Sequence, residues 1–241
     1  MRVFAITLVL LLLQTSAYSQ CKSDLEKENV LGSVRSITQT GIFMNDDANE
    51  IISIATTSYN KSGVSLGYRH AHKNNDLKYT ETTYELDDRG RKIKMKSFEL
   101  SGELEYYYVY EYDSLCNMIK SIEFKGSGRL DSYTIYGYNS TGESTEYKTY
   151  TSDSTLWLWY QFEYEAGRIG ETRDPQDSSI WKSEYDKHNN EIKTTIYDKF
   201  GNEKEVRTYI YQYDNKSNWI TRTLYINGKI YWIDKRRMIY Y

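Results

Sequence analysis

The chain has 241 residues and carries 31 Lys and Arg against 34 Asp and Glu, a formal charge of −3, so it lacks the basic excess of a nucleic-acid footprint. With 26 Tyr, a single Pro and a mean hydropathy of −0.74, its composition suits long pleated strands. No stretch beyond the first residues approaches the roughly 20 apolar positions of a spanning helix, so no membrane span is expected.

The chain opens with Arg2, an apolar run from Val3 to Leu13 and the small or polar stretch Ala17-Tyr18-Ser19. That order reads as a signal peptide over residues 1–20 and implies a secreted, periplasmic or cell-surface protein. Cys21 stands where a lipid anchor would be attached. Tyr18, Ser19 and Gln20 match such a signal poorly, so ordinary cleavage is the expectation and lipidation the alternative. The other cysteine is Cys116, and spacing alone does not establish a disulfide between the two. Residues 21–56 form a lead-in with the first strands, and residues 57–241 a repeat array.

The array shows itself in its turns. Asn60-Lys61-Ser62-Gly63, Asp87-Asp88-Arg89-Gly90, Asp113-Ser114-Leu115-Cys116, Asn139-Ser140-Thr141-Gly142, Asp186-Lys187-His188-Asn189 and Asp214-Asn215-Lys216-Ser217 share one form. Each follows Tyr59, Leu86, Tyr112, Tyr138, Tyr185 or Tyr213, and Tyr164 precedes a shortened copy, Glu165-Ala166-Gly167. The spacing is about 26 residues and breaks around residues 151–185, where Pro175 lies. A hairpin loop of this kind needs an Asp or Asn to cap the turn and a last residue in the left-handed region, where Gly is cheapest. Asp87, Gly90, Asp113, Gly142 and Asp214 therefore read as structural turn residues.

Second turns fall between these tips, at Ser101-Gly102, Gly126-Ser127-Gly128, Thr151-Ser152-Asp153, Gly201-Asn202 and Asn227-Gly228. The strands between them alternate. Tyr106, Tyr108, Tyr110 and Tyr112 share one face, as do Leu156, Leu158, Tyr160, Phe162 and Tyr164. The fold class expected is all-β, an antiparallel meander of about 14 strands forming a curved or spiralling single sheet. A membrane barrel is weighed and set aside, because Glu203, Glu205 and Arg207 share a face and Arg222 sits between Ile220 and Leu224.

Tyr197-Asp198-Lys199-Phe200-Gly201-Asn202 matches a pattern of Tyr-Asp, two variable residues, Gly, and Asn or Arg. Tyr112 to Asn117 and Tyr213 to Asn218 match it except at the Gly, and Tyr185 to Asn190 is a looser copy. On these residues the region 57–225 resembles the YD-repeat (Rhs-type) proteins, and Asp198 and Gly201 join the structural turn positions. The resemblance implies an exported bacterial protein of curved β-sheets, in a family described as carbohydrate-binding or as toxin shells. The period here is longer than the usual unit, and the chain is too short to enclose a cargo.

No chemistry stands out from the repeat. His70 and His72 share a strand face but lack a third ligand fixed by spacing, so no metal or other cofactor is expected. The aspartates recur once per repeat, which assigns them to turns and leaves no unique acid pair for an enzyme. The aromatic residues of the irregular region remain, and Trp157, Trp159 and Trp181 are the candidate ligand-binding residues. Trp157 and Trp159 are expected opposite the tyrosine-bearing face of their strand. The expected function is a non-enzymatic binding or scaffold module at the cell envelope, with a glycan or an envelope protein as partner. An accessory or immunity-type partner of a secreted toxin is the alternative.

Overall fold

The structure is a computed structural model that describes residues 22–45, 48–74 and 76–241. The leader of residues 1–20 and Cys21 lie outside the described residues. A four-residue helix, α1 (Asp24–Lys27), precedes sixteen strands. The first eight are β1 (Val34–Asn45), β2 (Ala48–Tyr59), β3 (Ser65–Asn74), β4 (Asp76–Leu86), β5 (Lys92–Glu99), β6 (Leu104–Tyr112), β7 (Met118–Lys125) and β8 (Leu130–Tyr138). The second eight are β9 (Ser144–Thr151), β10 (Leu156–Glu165), β11 (Arg168–Asp174), β12 (Ser179–Tyr185), β13 (Glu191–Tyr197), β14 (Glu203–Tyr213), β15 (Trp219–Ile226) and β16 (Lys229–Tyr240). Each strand pairs antiparallel with its neighbours in sequence, and β1 pairs with β16 from Val34↔Tyr240 to Phe43↔Trp232.

The meander is therefore a closed sixteen-stranded barrel, and the expected open sheet of about 14 strands is corrected. Closure removes the two edges that such a sheet would leave unpaired. The lead-in of residues 21–56 is part of the same barrel, because β1 and most of β2 fall within it.

The turn chemistry holds in atomic detail. In the β6–β7 turn, Asp113 Oδ1 accepts from the backbone amides of Leu115 (2.9 Å) and Asn117 (2.8 Å), and Cys116 takes the left-handed conformation with φ 70°. Asp87, Asn139, Asp186 and Asp214 repeat this arrangement at the same end of the barrel. Asp198 does so at the opposite end, between β13 and β14, so the fullest match to the Tyr-Asp pattern is turned the other way up. A register shift beside each tip puts one extra residue on the strand that follows it, Ile119 opposite Glu111/Tyr112 and Thr145 opposite Gly137/Tyr138.

Residues directly opposed across strands share a face, so the register traces two surfaces round the barrel. One runs through Tyr68, Thr82, Ser97, Tyr106, Tyr108, Ser121, Thr134, Tyr136, Tyr147, Tyr160, Phe162, Trp181, Thr194, Arg207, Tyr211, Arg222 and Asp234. The other carries ion pairs, including Lys96–Glu85 (2.6 Å), Lys193–Glu184 (3.0 Å) and Arg173–Glu163 (3.3 Å) toward strand ends and Arg69–Glu81 (3.5 Å) at mid-strand. Its side chains splay into solvent, with Ile210 57% and Trp157 60% exposed, as expected on a convex surface. The tyrosine face is the inner one. Glu205, Arg207 and Arg222, used above against a membrane barrel, lie inside and say nothing about an outer band.

The inner face is not a packed core. Among the described residues the buried apolar side chains are Leu25, Val30, Val34, Ile37, Tyr59, Ala71 and Trp219. The first five form one cluster, with Met238 and Tyr240 against it. Along the rest of the inner wall it is the small side chains, Thr82, Ser97, Ser121, Ser132, Thr149 and Thr194, that are buried between half-buried rings. The barrel thus encloses a lumen lined by tyrosine.

Residues 22–33 cover part of one mouth. Ser23 and Glu26 form a capping box that starts α1. Leu25 N–H donates to Gly63 O (3.2 Å), Asp24 pairs with Lys92 (3.0 Å), and Asn218 exchanges two hydrogen bonds with the backbone of Leu31. Glu28 pairs with Arg236. The segment therefore spans the barrel end from the β14–β15 turn to the β4–β5 turn. Among the described contacts none joins it to turns 139–142, 166–167 or 186–189, so this segment leaves that arc of the mouth uncovered.

Candidate functional site

The tyrosines of the inner face divide into two sets. The first is structural. Tyr112 OH donates to Lys92 O (2.8 Å), Tyr138 OH to Met118 O (2.8 Å), Tyr185 OH to Ile169 O (3.0 Å) and Tyr211 OH to Glu191 O (2.8 Å). Each clasps a strand near a tip, and Tyr213 and Tyr240 clasp the turn carboxylates of Asp186 (2.6 Å) and Asp214 (2.8 Å). Burial pushes the hydroxyls of Tyr112 and Tyr211 up to about 12, against the opposing pull of Arg91 and Arg222.

The second set is free. Among the described residues the hydroxyls of Tyr106, Tyr110, Tyr147 and Tyr160 make no hydrogen bond within the protein, and none of them is a buried unsatisfied atom. They face the lumen with donor and acceptor capacity to spare. Tyr147 and Tyr160 lie on β9 and β10, below the uncovered arc. There the rings of Tyr136, Tyr147, Tyr160, Phe162 and Trp181 adjoin in series, with centroids 5.2–6.2 Å apart. This belt is the candidate ligand site.

The tryptophans do not form one platform. Trp181 faces inward and stacks on Tyr160 at 5.2 Å. Trp157 and Trp159 face outward, opposite the tyrosine-bearing side, and Trp159 Nε1 donates to Glu146 (3.1 Å) with Lys148 over its ring. The three candidates thus do not share a surface, because β10 presents one pair outside and β12 presents its tryptophan inside. His70 also faces the lumen, stacked on Tyr68 at 5.8 Å, while the His72 side chain lies outside the described residues. Asp87, Gly90, Asp113, Gly142, Asp198, Gly201 and Asp214 all sit in turns, and no group of three metal-ligating side chains occurs among the described residues.

A cluster that sequence reasoning missed closes the barrel. Asp234, 3% exposed, accepts from Arg222 Nε (3.0 Å) and Nη2 (2.6 Å), Gln39 Nε2 (2.9 Å) and Trp232 Nε1 (2.9 Å). Arg236 extends it, donating to Gln39 Oε1 and lying 3.6 Å over Trp219. Gly41 sits opposite Asp234 beneath the Trp232 ring, where any side chain would collide with the indole. Arg222, Asp234 and Gln39 come from β15, β16 and β1, so the network stitches the seam where the last strand meets the first. No sequence signal links Gln39 to Asp234 across the whole chain.

The fold and site define a closed antiparallel meander barrel with an aromatic, hydroxyl-lined lumen. Its fold is similar to that of a porin-like protein from Bacteroides uniformis, at 12% identity and a TM-score of 0.60, over 86% of this chain and 96% of that one. A chain of the Photorhabdus luminescens Tc holotoxin pore aligns at 15% identity and a TM-score of 0.29, over 81% of this chain and 13% of the other. A putative outer membrane lipoprotein-sorting protein domain from Vibrio parahaemolyticus aligns at 12% identity and a TM-score of 0.34, over 88% of each chain. No family model and no curated protein matches the sequence.

Proposed function

We propose that this protein is an exported, non-enzymatic binding barrel of the cell envelope that takes a glycan into its lumen. The observation that carries the reading is the belt of Tyr136, Tyr147, Tyr160, Phe162 and Trp181 beneath the uncovered arc of the mouth, with the Tyr147 and Tyr160 hydroxyls uncommitted. Aromatic faces stack on sugar rings, and free hydroxyls exchange hydrogen bonds with theirs. The leader-like N-terminus supports export. The exposed Arg69–Glu81 pair, mid-strand on the outer face, supports a barrel standing in water, since charge at the midplane of a lipid-facing wall costs about 2–4 kcal/mol per Arg or Lys. The recurrent aspartates serve as turn caps, which supports a non-enzymatic reading and a relationship to YD-type arrays.

The test is calorimetric titration of neutral oligosaccharides into the full chain and two double variants. Tyr147→Ala with Tyr160→Ala is expected to weaken binding at least tenfold, and Trp157→Ala with Trp159→Ala to leave it within twofold. The reverse pattern would move the site to the outer face. Indifference to every glycan, with a tight complex to one protein, would replace the reading by that of a toxin-associated partner.

A further inference from the structure

A second concavity lies where the segment of residues 22–33 meets the wall. It has a volume of about 320 Å³, and Lys22, Asp24 and Lys27 of the segment, Tyr84, Met95, Tyr110, Tyr112 and Met118 of the barrel, and Cys116 are among its lining. That volume is at the small end of ligand cavities, enough for a single ring with its substituents. Met95 and Met118 make the walls apolar, and the Tyr84 and Tyr112 rings beside them carry Lys92 and Arg91 over their faces. Cys116 is disulfide-bonded, so its sulfur adds to them as an uncharged, non-titrating group.

The polar groups are unbalanced in charge. Lys92 is neutralised by Asp24 at 3.0 Å and Arg91 by Asp87 at 2.6 Å. Among the described residues Lys22 and Lys27 have no ion pair within 4 Å, although Lys22 acts on the nearby Glu26 carboxylate, and the Tyr110 hydroxyl has no hydrogen-bond partner. Two unpaired ammonium groups and a free hydroxyl thus surround an apolar slot. Two exposed ammonium groups at the rim of such a slot favour a carboxylate over neutral and cationic ligands, an attraction that salt screens.

We propose that this cavity binds the carboxylate-bearing ring of an acidic sugar, of the uronic-acid class. Lys22 and Lys27 hold the carboxylate, Tyr110 exchanges a hydrogen bond with a ring hydroxyl, and Met95 and Met118 wall the ring. The inference rests on the glycan reading of the lumen and adds to it the chemical class of sugar. The Tyr147–Tyr160 belt takes the neutral part of the same glycan, and the slot beneath the N-terminal segment takes its acidic residue.

The test uses the full chain and saturation-transfer NMR with glucuronic acid, galacturonic acid, glucose and galactose, each at up to about 20 mM in low salt. Both uronic acids are expected to bind at least tenfold more tightly than the neutral sugars, and to weaken when salt is raised. Lys22→Ala with Lys27→Ala removes two exposed side chains and is expected to abolish that preference without changing the melting temperature. Tyr110→Phe should weaken uronate binding severalfold while keeping the preference for acid. Equal binding of acidic and neutral sugars, no binding of either acid, or uronate binding unchanged in the lysine double variant would each overturn the proposal. Failure of the lumen reading gives a different result, neutral-oligosaccharide binding that ignores Tyr147→Ala with Tyr160→Ala, and leaves the lysine result readable.

Discussion

Replacing Asp234 by Ala removes the acceptor on which the seam converges. Four hydrogen bonds go with it, two from Arg222 and one each from Gln39 and Trp232, and the guanidinium loses its counter-charge. Breaking a buried pair from one side costs about 3–5 kcal/mol, because the other charge is left desolvated. The two partners differ in burial, with 4% of the Asp234 side chain and 36% of the Arg222 side chain exposed, so the released arginine can recover water from the lumen. The lower figure, about 3 kcal/mol, is therefore expected. In a chain of this length each kcal/mol lowers the melting temperature by about 2–4 °C, which gives a drop of about 6–12 °C. Thermal unfolding followed by circular dichroism measures it. The double variant Arg222→Met with Asp234→Ala should recover part of the loss, since no unpaired charge remains. A fall of less than about 2 °C in the single variant would refute the argument that this network holds the first and last strands together.

Three further outcomes follow from the geometry. Asp113→Ala should cost about 1 kcal/mol in urea unfolding, since the carboxylate caps the turn through the amides of Leu115 and Asn117; a neutral effect would remove the explanation for the recurrent aspartate. Tyr112 and Tyr211 are pushed up by burial to about 12 from an ordinary 10, so the stability they confer is complete below about pH 10 and declines as pH rises toward 12. Tyrosinate absorbance and loss of β-sheet signal should then rise together on alkaline titration, and full ionisation near pH 10 with the sheet intact would contradict it. Cys116→Ser removes a disulfide at the covered mouth and should lower stability by about 2–4 kcal/mol, with faster hydrogen exchange in residues 22–33; unchanged exchange there would show that the disulfide does not hold the segment.

The hairpin tips were legible because their determinants are local. An Asp or Asn three residues before a Gly fixes the loop whatever surrounds it, and even Cys116, Asn189 and Ser217 adopt the left-handed conformation that the pattern required of them. Face assignment within a strand was partly legible: Trp159 lies opposite Tyr160 as expected, but a register shift between Leu156 and Leu158 turns Leu156 to the outer face, away from Leu158 and Tyr160. Relating one strand's face to the next but one was not. Trp181 shares the Tyr160 face because it pairs with Thr172, which pairs with Phe162, a register that the shift at Glu163/Tyr164 hides from the sequence. Closure depends on twist and stagger summed over sixteen strands, and on a seam whose members, Gln39 and Asp234, lie at opposite ends of the chain. The sorting of tyrosines into clasps and free hydroxyls likewise depends on whether a neighbouring carbonyl lies within reach, as Lys92 O does for Tyr112.

A lumen exists only if the barrel is closed, and the β1–β16 pairing tests this most directly. Thr40 and Lys235 are direct cross-strand partners on the outer face of that pairing. In a chain carrying Thr40→Cys and Lys235→Cys, mild oxidation should join the two positions in the folded protein, giving a cross-linked peptide pair by mass spectrometry and an unchanged or higher melting temperature. An open or spiralling sheet holds its first and last strands beyond the roughly 7 Å that a disulfide can bridge. Absence of the cross-link in a fully folded sample would contradict the barrel and the lumen site built on it.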